Sequence, residues 1–452
     1  MIELRASWKD DRKSFLKFDT ITIVTKIVYN IHMLMFILGR QPEISLAELR
    51  AVFGNAELIL PNVALVKTES ADIDRLGGVR KVGRVIWDQT GEANKFLIDK
   101  FSALPDGKIT LGISHYGRDT SAREAQKTGI FLKKHLSRSM RILPNSEPEI
   151  SDAATLGNRL GASPNKVELM MARAGHRLII AELIGVQDLN TYTLRDRGRP
   201  KRDARVGMLP PKLAQTMINL AVRPAESLSS DFGRGCAKGN GPCEEDRAAP
   251  RNDGRVPNLC PDETLLRDSA VKAKTLLDPF CGTGVVLQEA ALMGLKAYGT
   301  DLEPRMIDYS RTNLDWLAQK FRREIPYLLN VGDATEFTWE QPIGFVATET
   351  YLGRPYSFTP TEENLGENIT NCNLILTKFL QNLLKQITSE TGLCIAVPCW
   401  FINDRTRHLP LTKKLTEFGY EQISYSEGNQ SLIYHREDQI VGRELLVLKK
   451  KQ

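Results

Sequence analysis

From Thr275 onward the chain alternates short apolar runs with stretches of helical period: TLLDPF, then VVLQEAALMG, then KAYGTD, then PRMIDYSRTNLDWLAQKF. YLLNVGDA, GFVATET and GLCIAVPCW read as later strands, and NCNLILTKFLQNLLKQI as a long helix before the last of them. Strands separated by helices join their neighbours in parallel, through right-handed crossovers. This alternation predicts a parallel sheet with helices on both faces. The finish breaks the rule. EQISYSEG, SLIYHRED and GRELLVLKK are three strand-like runs in a row, so the sheet is expected to end antiparallel.

The first of these strands runs into Asp278-Pro279-Phe280-Cys281-Gly282-Thr283-Gly284 before a helix. Glycines at such a turn let the backbone bend tightly and approach a ligand. Ligands of open α/β sheets sit at the carboxyl ends of the strands. The run is neither Gly-x-x-x-x-Gly-Lys-Ser/Thr nor the three-glycine dinucleotide fingerprint. It therefore predicts a cofactor without phosphates to cradle. The next strand ends at Asp301, placed to accept from the ribose hydroxyls of an adenosyl group. The third ends in Gly332-Asp333-Ala334, where Asp333 is placed to accept from the adenine amine. Taken singly, each acid reads more simply as a cap or loop residue. Three at successive strand ends, beside a glycine turn, read as a site.

The N-terminal half has a different texture. MLMFILGR reads as a strand, ISLAELRAVFG as a helix, VALVKTE as a strand, ADIDRLGGV as a helix and VGRVIWD as a strand, a small α+β module over 33–95. Residues 1–32 are an extension of irregular pattern, and Met33 is a second candidate start. A further α+β unit covers 96–194. Its expected parts are a strand at ITLGISHYG and an amphipathic helix at SAREAQKTGIFLKKHLSRSM. A short helix at SDAATLGNRLGA follows, then two strands joined by Ala-Gly, KVELMMARAG and HRLIIAELIGV. LPPKLAQTMINLAV opens a new domain with a helix, and residues 224–270, rich in Gly, Pro and mixed charge, read as a flexible insertion. Cys236, Cys243 and Cys260 lie in it with six and sixteen residues between them, unlike zinc pairs two to four apart, so no metal site is expected.

Charge locates a second function. The chain of 452 residues carries a net +6, but residues 96–225 hold 21 Lys and Arg against 12 Asp and Glu, which leaves about −3 for the rest. Arg195, Arg197, Arg199, Lys201, Arg202 and Arg205 put six basic residues into eleven positions of a connector, a density suited to the backbone of a folded RNA. Lys127, Lys133, Lys134 and Arg138 form a thinner basic face, equally readable as solvated helix surface. Seven scattered cysteines and no leader pattern fit a cytoplasmic protein. The run from Ile21 to Leu38 is interrupted by Lys26, Asn30 and His32 and is not expected to cross a membrane.

DPFCGTG, together with the helix GMLPPKLAQTMINLA before it, resembles the THUMP-containing RNA methyltransferases, and among them the tRNA guanine-N2-methyltransferases acting at position 10. FILGRQPEISLAELRAVFG resembles that family's N-terminal module, RDRGRPKRDARVGMLPPKLAQ its junction, and SLIYHREDQIVGRELLVLKK its finish. The resemblance implies a Rossmann-like class I methyltransferase domain over 195–452, with a parallel sheet and an antiparallel C-terminal strand. A ferredoxin-like module and a THUMP domain would precede it. It also implies S-adenosylmethionine at Asp278, Phe280, Gly282, Thr283, Gly284, Asp301 and Asp333, with tRNA as the partner. A small activating protein, needed by eukaryotic relatives, is a further partner that it allows.

One stretch departs from the family. Where amino-methyltransferases of this group carry Asp/Asn-Pro-Pro-Tyr, this chain has Thr348-Glu349-Thr350-Tyr351-Leu352-Gly353. Glu349 takes the acid's place with one methylene more, and Tyr351 is left to stack on a base, so these two are the candidate catalytic residues. Three readings stay open at this stage: methylation of guanosine N2 in tRNA, methylation of another RNA base or of DNA, and a tRNA-binding protein that keeps the fold without catalysis.

Overall fold

The computed structural model describes residues 32–118, 120–203, 208–222, 274–356, 358–403, 405–426 and 431–452. Residues 1–31 of the extension, the insertion with its three cysteines, and Arg205 lie outside them.

The N-terminal elements are β1 (Leu34–Leu38), α1 (Pro42–Phe53), β2 (Glu57–Leu60), β3 (Val63–Val66), β4 (Val79–Thr90) and α2 (Asn94–Ser102). They continue through β5 (Ile109–Tyr116), α3 (Ala122–His135), β6 (Met140–Ile142), α4 (Asp152–Gly157), β7 (Lys166–Ala174) and β8 (Arg177–Val186). Proline at the first turn opens α1, and Gly54 at φ +75° closes it. The Ser121 side chain accepts from the Glu124 amide to start α3. All eight strands form one sheet in the order β2-β3-β1-β4-β8-β7-β5-β6. The twelve-residue β4 pairs with β1 on one side and β8 on the other. The units expected at 33–95 and 96–194 therefore share a sheet.

Two local expectations are corrected. The helix expected at ADIDRLGGV is only a 3-10 turn, Ile73–Arg75. Gly77 behind it has no room for a side chain, since a Cβ there would stand 2.0 Å from the Lys212 carbonyl oxygen. The β7–β8 hairpin turns at Gly175 and His176 rather than at Ala-Gly: Ala174 faces Arg177, and Gly175 has φ +61°.

Next come α5 (Leu189–Arg197), α6 (Pro211–Val222), β9 (Thr275–Asp278), α7 (Val285–Leu292), β10 (Lys296–Asp301), α8 (Pro304–Phe321), β11 (Tyr327–Val331) and β12 (Phe345–Glu349). The finish is α9 (Glu362–Leu384), β13 (Gly392–Ile402), β14 (Arg405–Arg407), β15 (Tyr420–Gln422), β16 (Leu432–Tyr434) and β17 (Val441–Lys450). The second sheet has the order β11-β10-β9-β12-β13-β17-β15, with β14 on β13 and β16 on β17. Strands β9 to β13 pair in parallel, and β17 runs antiparallel to β13 from Gly392↔Lys449 to Trp400↔Val441. This is the parallel sheet with an antiparallel finish that the alternation predicted, and its order is the Rossmann-like one that the resemblance implied. The chain steps outward from β9 through β10 to β11, then returns to the other side of β9 for β12. That reversal opens a crevice at the strands' carboxyl ends.

One face of this sheet is covered by α6 and α7, whose Leu213, Met217, Ile218, Val286 and Ala290 are buried in one cluster with Ile44, Ala47 and Ala51 of α1. The other face packs Phe379, Leu380 and Leu383 of α9 against Leu393, Ile395 and Val397 of β13. The first of these clusters joins the two sheets into one body. Among the described residues no helix is long and apolar enough to cross a membrane.

Candidate functional site

The crevice is built from the turn between β9 and α7. Gly282 and Gly284 sit at φ +51° and +81°, in the left-handed region where a side chain is strained. A Cβ on Gly284 would lie 2.8 Å from Ser310 Oγ. A Cβ on Gly282 would meet nothing nearer than the Phe280 carbonyl oxygen at 4.0 Å, so open space lies over that residue. The two glycines thus differ in purpose: Gly284 packs on α8, and Gly282 leaves room.

Helix α8 holds the turn from behind. Ser310 Oγ donates to the Gly282 carbonyl at 2.9 Å, and Asn313 Nδ2 donates to the Thr283 carbonyl at 2.8 Å. Asp301, ending β10, accepts the Gly282 amide at 2.8 Å through Oδ2 and the Glu303 amide at 3.0 Å through Oδ1. A carboxylate has about four acceptor sites, so two backbone bonds orient Asp301 and leave capacity for a ligand's hydroxyls. Burial raises its pKa above the usual carboxylate value, with those two amides opposing.

Asp278 is 2% exposed. Its Oδ1 accepts from Thr348 Oγ1 at 2.6 Å and from the Phe280 amide at 3.3 Å, which ties the turn to β12. Burial pushes its pKa up to about 7, against those hydrogen bonds, and the charges of Asp301 and Glu349 push the same way. Asp278 is a brace beneath the turn. Phe280 packs edge-on to Phe379 with ring centroids 5.1 Å apart. Asp333 accepts the Thr335 amide at 2.8 Å in the loop after β11, and a Cβ on Gly332 would lie 2.1 Å from the Phe337 ring.

Three exposed apolar side chains not expected from the sequence lie at or after the carboxyl ends of these strands. Leu302 (63% exposed) follows Asp301, Val331 (50%) ends β11, and Phe358 (85%) lies in the loop after β12, joined there by Tyr351 (44%). Val331 is the register partner of Asp301. Apolar groups beside a carboxylate at the mouth of a crevice suit the flat face of a nucleobase and the hydroxyls of its sugar. Their signal in the sequence is weak, because an apolar residue just past a strand end reads as part of the strand.

Glu349 ends β12, one residue past the Thr348 that binds Asp278, and its charge reaches Asp278. Arg443 Nε, from β17, donates to Glu349 Oε1, and the two side chains are 8% and 15% exposed, Arg443 and Glu349 respectively. Burial raises the Glu349 pKa, and the Arg443 guanidinium opposes the rise. Thr350 is anchored by its amide and its hydroxyl to the Ala396 carbonyl. The stretch that follows is pinned to α9, where Asn368 Oδ1 accepts the Arg354 amide at 3.1 Å and leaves no space for a Cβ on Gly353. Tyr351 is exposed between these anchors.

The basic connector divides. Arg195 is 6% exposed and donates through Nε to Glu289 Oε1 of α7 at 2.8 Å, while Arg199 is 3% exposed and reaches the Met208 sulfur at 3.1 Å. The expectation that these two contact RNA is corrected: the Asp188-capped α5 begins before the connector and turns Arg195 inward, where it neutralises a buried carboxylate, and Arg199, two residues past the end of that helix, is buried as well. Arg197, Lys201 and Arg202 are exposed. On α3, Lys127, Lys133 and Lys134 are exposed, whereas Arg138 binds the carbonyls of Leu104 and Gly107 and pins that loop.

Residues 264–371, which contain the glycine turn, Asp301 and Glu349, match the family model described as RMKL-like, methyltransferase domain. Over 97 residues the chain is 34% identical to the tRNA (guanine(10)-N2)-dimethyltransferase of Pyrococcus abyssi, a stretch that is 22% of this chain and 25% of that protein. Over 47 residues it is 53% identical to the protein of the same name from Methanothermobacter thermautotrophicus, covering 10% of this chain and 14% of that one. The chain thus aligns with a quarter or less of the length of these relatives. TrmN from Thermus thermophilus, a solved structure, aligns with 93% of this chain and 100% of its own at 14% identity and a TM-score of 0.45. The relatives' name is that of the family which the sequence motifs resemble.

Proposed function

We propose that the chain is an S-adenosylmethionine-dependent tRNA methyltransferase acting on the exocyclic N2 of guanosine 10. The reading is carried by one observation: the open space over Gly282 beside the oriented Asp301 carboxylate, inside the stretch that matches a methyltransferase domain. The residues present fit such a cofactor. Asp301 would hold the ribose hydroxyls, Leu302 and Val331 would flank the adenine, and Asp333 would accept from its amine. Gly282 leaves the room that the methionine part needs. When bound, the cofactor supplies an electrophilic methyl on a sulfonium sulfur.

What this chain's residues do is position the acceptor. Alignment of nitrogen with methyl carbon is the main contribution to such a transfer. Glu349, held by Arg443, accepts a hydrogen bond from the guanine amine and takes up its proton when the nitrogen gains a methyl. Tyr351 offers a stacking face. The one added methylene of Glu349 relative to Asp is accommodated by anchoring its carboxylate to β17 and Thr350 to β13.

Under the same reading, residues 33–95 are a ferredoxin-like module and 96–194 a THUMP domain, with tRNA lying over the exposed Arg197, Lys201 and Arg202 in the cytoplasm. A small activating protein is a further partner under this reading. The test is incubation of the purified full chain and labelled S-adenosylmethionine with an unmodified tRNA transcript, followed by nucleoside mapping. Label in N2-methylguanosine or N2,N2-dimethylguanosine at position 10 is the expected result. Label in another base moves the substrate. Cofactor binding without any label favours the non-catalytic reading.

A further inference from the structure

The connector and the cofactor turn are held by the same helix. Arg305, Tyr309 and Asn313 are four residues apart on α8 and so share a face. Arg305 Nη2 pairs with Asp203 Oδ2 at 3.3 Å. The Lys201 ammonium stands 5.4 Å from the Tyr309 ring centroid, and the Arg305 guanidinium 5.8 Å from it. Asn313, fully buried, exchanges two bonds with Lys201: Oδ1 accepts its amide at 2.9 Å and Nδ2 donates to its carbonyl at 2.9 Å. The remaining N–H of that Nδ2 is the one that binds the Thr283 carbonyl. One side-chain amide, with both hydrogens and its oxygen in use, therefore ties residue 201 to residue 283.

We infer that Asn313 is a positioning residue that couples the RNA-facing connector to the cofactor turn, so that cofactor and RNA bind cooperatively. The inference rests on the reading given above of the glycine turn as cofactor site and of Lys201 and Arg202 as phosphate contacts. Moving the connector away from α8 strands two bonds of a buried amide, and a buried polar group without a partner is costly. The connector and the turn are thereby ordered together. Whatever fixes Lys201 fixes the Thr283 carbonyl, and the reverse holds, because coupling between sites is reciprocal.

The test is calorimetric binding of S-adenosylhomocysteine to the full chain, with and without a saturating unmodified tRNA transcript. In the wild type the RNA is expected to tighten binding by about fivefold or more, the lower range of measured couplings. The double variant R305A/Y309A loosens the strap at the surface without touching the turn. It is expected to keep the RNA-free affinity and lose the RNA effect. N313A is expected to lose both. A second readout is independent of RNA. S-adenosylhomocysteine alone should slow hydrogen exchange in a peptide spanning residues 198–203 of the wild type, and not in N313A. Undiminished coupling in R305A/Y309A, or cofactor binding without any protection of that peptide, would overturn the inference. Failure of the wild type to bind S-adenosylhomocysteine at all is a different result and sinks the cofactor reading beneath it.

Discussion

At the scale of single residues, the two glycines of the turn separate binding from stability. G282A puts a methyl into open space, at the cost of a left-handed φ for alanine, about 1–2 kcal/mol. G284A carries the same strain and also drives a Cβ to 2.8 Å from Ser310 Oγ. Thermal melts with cofactor titrations should find G284A the less stable protein, and G282A the one that folds but binds poorly. A G282A protein with wild-type cofactor affinity would remove that face from the site. The pair Glu349–Arg443 gives a pH test. R443M leaves a buried carboxylate without its cation, which costs about 3–5 kcal/mol near neutral pH. The sign follows from the raised pKa of Glu349, which rises further once the opposing guanidinium is gone. A carboxyl group whose folded pKa exceeds its unfolded one loses stability as pH rises between the two values, and regains it as pH falls. R443M should therefore lie nearer to wild type at pH 5 than at pH 8 in denaturant unfolding. The acid limb of its methylation rate should shift to higher pH, and a parallel pH dependence in both proteins would show that the guanidinium does not tune Glu349. Under the proposed role of Glu349 as proton acceptor, E349Q, which keeps the shape and loses the carboxylate, should lower kcat about a hundredfold or more.

At the scale of elements, the alternation from β9 to β13 was readable because period 2 and period 3.6 differ over even a few residues, and because Gly and Asp punctuate each strand end. Asp278 and Asp301 were placed at strand ends by that pattern alone, whereas Glu349 was singled out only by the likeness to the family's motif. What was not readable depended on partners far along the chain. Arg443 lies 94 positions from Glu349, and Asn313 lies 112 from Lys201. Neither has a local signature, since the sheet order and the docking of α8 create them. The connector misled for a local reason. In DLNTYTLRDRG the apolar residues are few, so the charge run hides α5, and only the Asp188 cap marks its start. Arg195 and Arg197 are two apart on that helix and face different ways, one inward to Glu289 and one to solvent. That geometry predicts opposite phenotypes. R197A should weaken tRNA binding, with a shallower salt dependence of affinity by about one counterion, and leave the melting temperature alone. R195A strands Glu289, whose pKa is already pushed up to about 7 by burial, and should lower stability above that pH more than below it. Filter binding across salt concentrations, set beside thermal melts at pH 6 and pH 8, separates the two.

At the scale of the whole molecule, the question is whether the N-terminal sheet and the methyltransferase-like sheet move independently. Domains joined by a small polar interface are expected to move. This interface is of the other kind. Helix α1 packs on α6 in a shared apolar cluster, and Glu48 of α1, fully buried, accepts from the amides of Gly77 and Gly78 at 2.9 and 2.7 Å and from Asn219 Nδ2 of α6 at 2.7 Å. Arg50 Nη1 donates to the Tyr425 carbonyl, Gln41 Nε2 to the His435 carbonyl, and Arg195 pairs with Glu289 across the same boundary. A buried carboxylate is tolerable only with such partners, so partial separation of the sheets would expose apolar surface and leave Glu48 half satisfied at once. The two bodies should therefore melt together. Scanning calorimetry of the full chain is expected to give one peak. G77A forces a Cβ to 2.0 Å from the Lys212 carbonyl at the start of α6, so the two bodies must part there or distort. Its thermogram should split or broaden into two transitions while circular dichroism keeps the helix and strand content of the wild type. Two peaks in the wild type itself would mean that the N-terminal sheet is hinged, and that the distance from an RNA held there to Glu349 is set by the RNA rather than by the protein.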